Sequence, residues 1–358
     1  MIITTRNLVQ YFLAKGLVSH SSVVDGDFGV IDVSGRNRNY KVLRHNGPGF
    51  FVKQIQNWDP QAIAMLQCEA ACYWLPQNDV TFSSLASITP EFISYDPERQ
   101  VLITRLINNG EDLWEHYRRH GEISTKATGT LGALLGAYHK GASEMIESSH
   151  NTIFPRQLPW ILASERRNSH PFKQLSPATA ELFDHVENSK GLSAALDTVR
   201  DEWSTSTLMH GDLKLENCIL SQSSDELQIT IVDWELADIG DPCWDVGGIL
   251  QSLISATVIS LPESDSPVTI LDLMVQAPSC LDSIGAFWKQ YAANLEVDAQ
   301  SSQELLARCL RYGAARMIQS AYEYMQFSPH ISTNARHLLE VSESVLADPT
   351  STGRSLLR

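Results

Sequence analysis

Over the first 110 residues the apolar positions come in short, separated runs, a pattern of strands with few helices. Leu8, Tyr11, Phe12 and Ala14 share one face of a helical stretch. The β-branched run from Val23 to Val33 predicts a strand, which Ser34-Gly35-Arg36-Asn37-Arg38-Asn39 interrupts before Tyr40-Lys41-Val42-Leu43 resumes the pattern. His45-Asn46-Gly47-Pro48-Gly49 is a turn signal, since Gly and Asn tolerate positive φ and Pro presets a turn. Phe50 to Ile55 follows as the next strand, so a hairpin is expected. A helix is predicted over Ala62 to Leu75, ended by Pro76, and two further strands over Glu91 to Tyr95 and Val101 to Leu106.

Beyond residue 107 helical spacing takes over: Asp112 to His120, Leu131 to Ala142, a proline-punctuated segment from about 150 to 205, and two long stretches near Leu281 to Asn294 and Gln303 to Gln326. The expected fold class is therefore α+β. An antiparallel sheet lobe spans 1–107, and a larger helical lobe spans 108–358 with its loops at 208–245. No internal repeat or low-complexity segment is visible.

Composition narrows the classes. The 358 residues are 43% hydrophobic and 19% charged, with eight Trp, eleven Phe and ten Tyr, which describes a chain that packs. A formal net charge of -15 argues against nucleic-acid binding, because phosphate neutralisation needs a basic surface. No uninterrupted apolar stretch of membrane-spanning length occurs, and Met1 to Leu8 does not read as a secretory signal, so a cytoplasmic protein without a membrane role is expected. Six cysteines form no C-x-x-C pair and no zinc spacing; a reducing compartment suits them.

The chemistry concentrates in Thr207-Leu208-Met209-His210-Gly211-Asp212-Leu213-Lys214-Leu215-Glu216-Asn217-Cys218 and in Ile229-Thr230-Ile231-Val232-Asp233-Trp234-Glu235. An H-x-D-x-x-x-x-N string and a second apolar run ending in Asp supply oxygen donors suited to Mg²⁺. Phosphoryl transfer needs such a set: a carboxylate facing the attacking hydroxyl, plus an amide and a carboxylate for metal on nucleotide phosphates.

These strings resemble the aminoglycoside phosphotransferase and choline kinase family, whose members share the bilobal protein-kinase fold. The resemblance implies Asp212 as catalytic base, and Asn217 and Asp233 as Mg²⁺ ligands. Gly240-Asp241-Pro242-Cys243-Trp244-Asp245 also looks like this family, with Asp245 bracing the catalytic loop. By the same resemblance Lys53 contacts the α- and β-phosphates of ATP with Glu69 as its ion-pair partner. Ser34 and Gly35 lie in the nucleotide-covering turn, and Leu106 and Ile107 at the adenine-binding hinge. Lys214, two residues after the base, matches the lysine that steadies the γ-phosphate in Ser/Thr protein kinases; a surface charge is the competing reading. Asp245 follows Asp233 by only twelve positions, too few for an activation segment. The expectation is an ATP- and Mg²⁺-dependent phosphotransferase acting on a hydroxyl of a small molecule: an aminoglycoside, choline-like alcohol, sugar or amino-acid alcohol. The alternatives are a kinase for Ser or Thr of a small peptide and a nucleotide-binding pseudokinase. The 150–205 insertion and the terminal helices are expected to wall the acceptor pocket.

Overall fold

The structure, a computed structural model, describes residues 2–142, 153–172, 174–223, 226–260 and 268–357. The chain forms two compact units. One holds the residues up to Glu111 together with Ile219–Ala237, and the other holds Asp112–Cys218 together with Asp238–Arg358. The expected division lay near residue 107; the change of unit falls at Glu111, and a short later segment joins the first unit.

The first unit is built on a five-stranded antiparallel sheet in the order Gly29–Asp32, Arg38–Leu43, Phe50–Gln54, Val101–Arg105, Phe92–Asp96. Strand alternation sorts its side chains. Phe50 and Val52 join Tyr40, Val42, Val101 and Ile103 in a core with Leu8, Tyr11 and Phe12 of the first helix, which leaves Phe51 and Lys53 on the opposite face. The helix Pro60–Asn78 starts where Asp59 accepts from the Ala62 N–H at 2.9 Å and Pro60 occupies the first turn.

Two expectations are corrected here. The run Val23 to Val33 is not one strand: Ser19 caps a short helix, His20–Val24, by accepting from Ser22 N, and Gly26 turns the chain at φ +74° before the strand Gly29–Asp32 begins. Pro76 does not end its helix, which runs to Asn78, because in the last turn a proline forfeits a single intrahelical bond and the chain leaves the helix anyway.

The second unit is helical. Thr125–Ala142 packs on Pro278–Leu295, and Pro242–Ser260 packs on Ala299–Met325. The latter pair crosses closely: a Cβ on Gly247 would lie 2.7 Å from Gly313 N. Two further helices not foreseen from sequence close the chain, Thr333–Ala347 capped by Ser332 and Pro349–Leu356 capped by Asp348. Pro242–Ser260 has the length and apolar composition of a membrane span, yet it is almost wholly buried within the protein.

Candidate active site

In the sheet unit, alternation turns Lys53 away from the core of aromatic side chains, and helical spacing brings Glu69 to it. Lys53 Nζ lies 2.6 Å from Glu69 Oε2 and 3.0 Å from Glu235 Oε2, and also donates to Asp233 Oδ1. Burial alone would discharge Lys53, but the Glu69 and Asp233 carboxylates outweigh it and hold the ammonium above its ordinary range. Burial raises the Glu69 carboxyl despite Lys53.

Two residues complete this cluster, Tyr73, which the sequence reading passed over, and Arg36, which it named only as part of the nucleotide-covering turn. Tyr73, one helical turn after Glu69, donates to Glu69 Oε1 and accepts from the Asp233 N–H, each at 3.0 Å. That second bond anchors a strained backbone, for Asp233 sits in the left-handed region at φ +67°, ψ +51°. Arg36, exposed on the turn after the first strand, pairs with Glu235. Glu69, Asp233 and Glu235 each place one carboxylate oxygen within 4.8 Å of the others. Among the described residues the three carboxylates meet the buried Lys53 ammonium and the exposed Arg36 guanidinium, and their hard oxygen donors suit Mg²⁺.

The other positions that the resemblance assigns to the nucleotide are ordered by their own turns. The Ser34 N–H donates to Asp32 Oδ1 at 2.9 Å and the Gly35 N–H to Asn37 O at 3.0 Å. The Leu106 N–H donates to Gly49 O at 3.1 Å, where the Leu106 side chain closes on Gly49, and Ile107 follows, half-buried.

In the helical unit the loop after the strand Thr207–Met209 carries Asp212. The buried Asp245 carboxylate, in the first turn of Pro242–Ser260, accepts from the His210 N–H at 2.7 Å and the Gly211 N–H at 3.0 Å. Gly211 meets this turn with φ +82°, which only glycine takes without cost. His210 is structural, its Nδ1 accepting from the Asp212 N–H at 3.2 Å. Asn217 donates to Asp212 O at 2.8 Å, leaving its amide oxygen as the ligand atom it could offer.

Asp212 itself is held by two cations. Lys214 Nζ lies 2.7 Å from Oδ2 and Arg316 Nη2 3.1 Å from Oδ1. Burial works to discharge the carboxyl, but the two cations outweigh it and hold it below the ordinary carboxylate range. Asp212 opens onto a cleft of about 110 Å³. Arg316, Gln319, Ser320, Glu323 and Tyr324 line one side at i, i+3, i+4, i+7 and i+8 of one helix; Gln251, Ser252 and Ser255 line another, and Trp114 and Glu216 complete the walls. Protein crowding on the concave wall raises the Glu216 and Glu323 carboxyls. No described residue of the 150–205 segment lines this cleft; residues 150–152 and Lys173 lie outside the described residues.

An antiparallel sheet unit with a lysine–glutamate pair beside an aspartate, and a helical unit whose H-x-D-x-x-x-x-N loop carries an ionised aspartate, define a kinase: a phosphotransferase with a hydroxyl acceptor. The model of the phosphotransferase enzyme family matches residues 34–264, well over half of the chain, and the chain belongs to that family. Solved structures of the same fold include an aminoglycoside 2′-phosphotransferase-IIIa in its GDP complex, 14% identical, covering 96% of this chain and 99% of that one at a TM-score of 0.54. A choline/ethanolamine kinase family protein from Mesorhizobium loti is 14% identical over 99% of both chains at a TM-score of 0.51. A Plasmodium vivax ethanolamine kinase is 12% identical, covering 93% of this chain and 86% of that one at 0.51. No curated protein matches.

Proposed function

We propose that the protein transfers the γ-phosphoryl group of ATP, with Mg²⁺, to a hydroxyl of a small alcohol that carries a positive charge. The observation that carries this reading is the cleft over Asp212: an ionised carboxylate at its floor, the carboxylates of Glu216 and Glu323 and the rings of Trp114 and Tyr324 on its walls, and polar amides and hydroxyls between. Carboxylates and aromatic faces together favour an ammonium group. The cleft's small volume suits a choline-like or amino-acid alcohol, whereas an aminoglycoside or a peptide chain would extend beyond it.

In this reading Asp212 accepts a hydrogen bond from the acceptor hydroxyl and aims its oxygen at the γ-phosphorus. Lys214 and Lys53 meet the phosphates, and Glu69 fixes the direction of Lys53. Asn217 and Asp233 hold Mg²⁺, which when bound neutralises charge on the transferring phosphate. Leu106 and Ile107 offer backbone groups to the base, and the Ser34-Gly35 turn covers the phosphates. Those two turn amides already donate within the turn, so phosphate contact requires them to exchange acceptors. An aminoglycoside 2′-phosphotransferase of this fold is known with GDP, so GTP belongs beside ATP in any test.

The test is phosphate incorporation from labelled ATP and GTP into a panel of choline, ethanolamine, kanamycin, homoserine, glucose and a serine peptide. A cationic alcohol should score, and Asp212→Asn should lower turnover by about 10²- to 10⁴-fold while Mg-ATP binding persists. Nucleotide binding with no transfer to any acceptor, unaltered in Asp212→Asn, would leave the pseudokinase reading standing instead.

A further inference from the structure

The helix Ala299–Met325 brings to the catalytic loop a charge that no part of the loop motif accounts for. Arg316, 5% exposed, grips the loop at three points: Nη1 donates to Gly211 O at 3.1 Å, and Nη2 to Leu213 O at 3.3 Å and to Asp212 Oδ1 at 3.1 Å. It thus holds the carbonyls on both sides of Asp212 as well as the side chain between them. Its guanidinium lies over the Trp244 ring, 5.1 Å from the centroid, and Trp244 Nε1 donates to the same Gly211 O at 2.8 Å. Gly248 makes the room: a Cβ there would come 2.3 Å from Leu213 O and 3.1 Å from Arg316 Nε. Lys214 offers a contrast, a half-exposed flexible arm on the other carboxylate oxygen.

We propose that Arg316 is a positioning residue for phosphoryl transfer, fixing the rotation of the Asp212 carboxylate and the loop backbone so that Oδ2 is the oxygen presented to the acceptor. The inference rests on the reading of Asp212 as the group that takes the acceptor's proton. In that step the acceptor oxygen bonds to the γ-phosphorus. The bond from phosphorus to the bridging oxygen breaks, its electron pair leaving with the nucleoside diphosphate, and the hydroxyl proton passes to Asp212 Oδ2. The Asp χ2 torsion is soft and nearly two-fold, so without a fixed partner on Oδ1 the carboxylate samples orientations that do not meet the hydroxyl. A planar fork bound to two carbonyls and a carboxylate supplies that fixity, and a point-charge ammonium does not.

The experiment is a double-mutant cycle of Asp212→Asn and Arg316→Gln, with Arg316→Lys as the conservative variant. It is read as the thermal midpoint and as the rate of ADP release from Mg-ATP, with choline or kanamycin as acceptor and with water alone. Arg316→Gln should lower kcat about 100-fold with KM for ATP within about two-fold, Arg316→Lys should recover part of the loss, and Arg316→Gln should cost no further rate once Asp212 is Asn. Equal rate losses in both backgrounds, or a lowered midpoint with kcat per folded enzyme unchanged, would overturn the proposal. Should the wild type turn over none of these acceptors, the enzyme reading fails by itself and the midpoints still judge Arg316: a non-additive shift with Asp212→Asn supports the tie, and additive shifts refute it.

Discussion

The two charged clusters are built with opposite signs. Among the described residues of the sheet unit the buried Lys53 ammonium serves three carboxylates, and exposed Arg36 pairs with Glu235. In the helical unit one carboxylate, Asp212, is served by two cations. Among the described residues the first arrangement holds more carboxylates than cations, a balance that suits a divalent ion. The second is saturated, and what it secures is an aspartate that stays ionised and points one way. A nucleotide-and-metal role asks for the first, a proton-accepting role for the second. In the proposed reading the charge balance of each cluster fits the role given to it.

Deleting one cation from each cluster tests this most severely. Lys53→Met removes the ammonium that Glu69, Asp233 and Glu235 share, and breaking a buried ion pair in this way costs about 3–5 kcal/mol. Urea melts should show that loss, and adding Mg²⁺ should recover more stability in the variant than in the wild type. Lys214→Met leaves Asp212 with Arg316 and removes a half-exposed pair, so its stability should change by less than about 1 kcal/mol. A large loss in Lys214→Met, or no Mg²⁺ response in Lys53→Met, would erase the distinction.

The two clusters were not equally legible in the sequence. The loop from His210 to Asn217 is one contiguous string, and it carries the family resemblance through which Lys53, at a strand end, and Glu69, 16 residues on, are named as a pair. Tyr73 was passed over because an aromatic residue in an apolar helix reads as core, although it stands four residues from Glu69 on the same face. Arg316 lies 104 residues from Asp212, a distance over which no spacing rule speaks. A signal did exist: Arg316, Gln319, Ser320, Glu323 and Tyr324 form a polar stripe at helical spacing on a helix whose other faces are buried, and such a stripe in a helical core marks a wall of a cleft. Boundaries failed for local reasons, at Ser19, whose cap starts a helix within a β-branched run, and at Pro76, which the last helical turn tolerates.

The clamp on Asp212 can also be broken without touching a charge. Gly248→Ala sets a methyl 2.3 Å from the Leu213 carbonyl, and backbone on both sides must give way. The expected cost is about 1–3 kcal/mol in stability, with turnover reduced as the loop shifts. Gly191→Ala, in the helix Lys190–Asp201 with nothing within 4 Å of the new methyl, should leave turnover unchanged and raise stability by up to about 1 kcal/mol, and serves as the control. Comparable losses in both variants would show that glycine flexibility, and not the approach to Arg316 and Leu213, accounts for the effect.

The smallest effect tests whether charge balance alone defines a site. Asp96 repeats the pattern of Asp212 within the sheet unit: a buried carboxylate meeting Lys15 at 3.0 Å, Arg99 Nη1 at 3.1 Å and the Tyr11 hydroxyl at 3.0 Å. Burial opposes its ionisation, but Lys15, Tyr11 and the Arg99 N–H outweigh that and hold the carboxyl down at about 2. A folded-state value below the ordinary one of about 3.9 stabilises the fold above pH ~4 and loses that contribution as pH falls through 2. Because both cations are partly exposed, Asp96→Asn should cost no more than about 2 kcal/mol at pH 7, shrinking towards zero near pH 2 in denaturant titrations. Asp96 belongs to a turn packed on the first helix, so turnover at pH 7 should stay at the wild-type value per folded molecule. A pH-independent loss would remove the ionic account of Asp96. A fall in turnover would mean that the saturated cluster on Asp212 is not functionally distinct from one that only ties a turn to a helix.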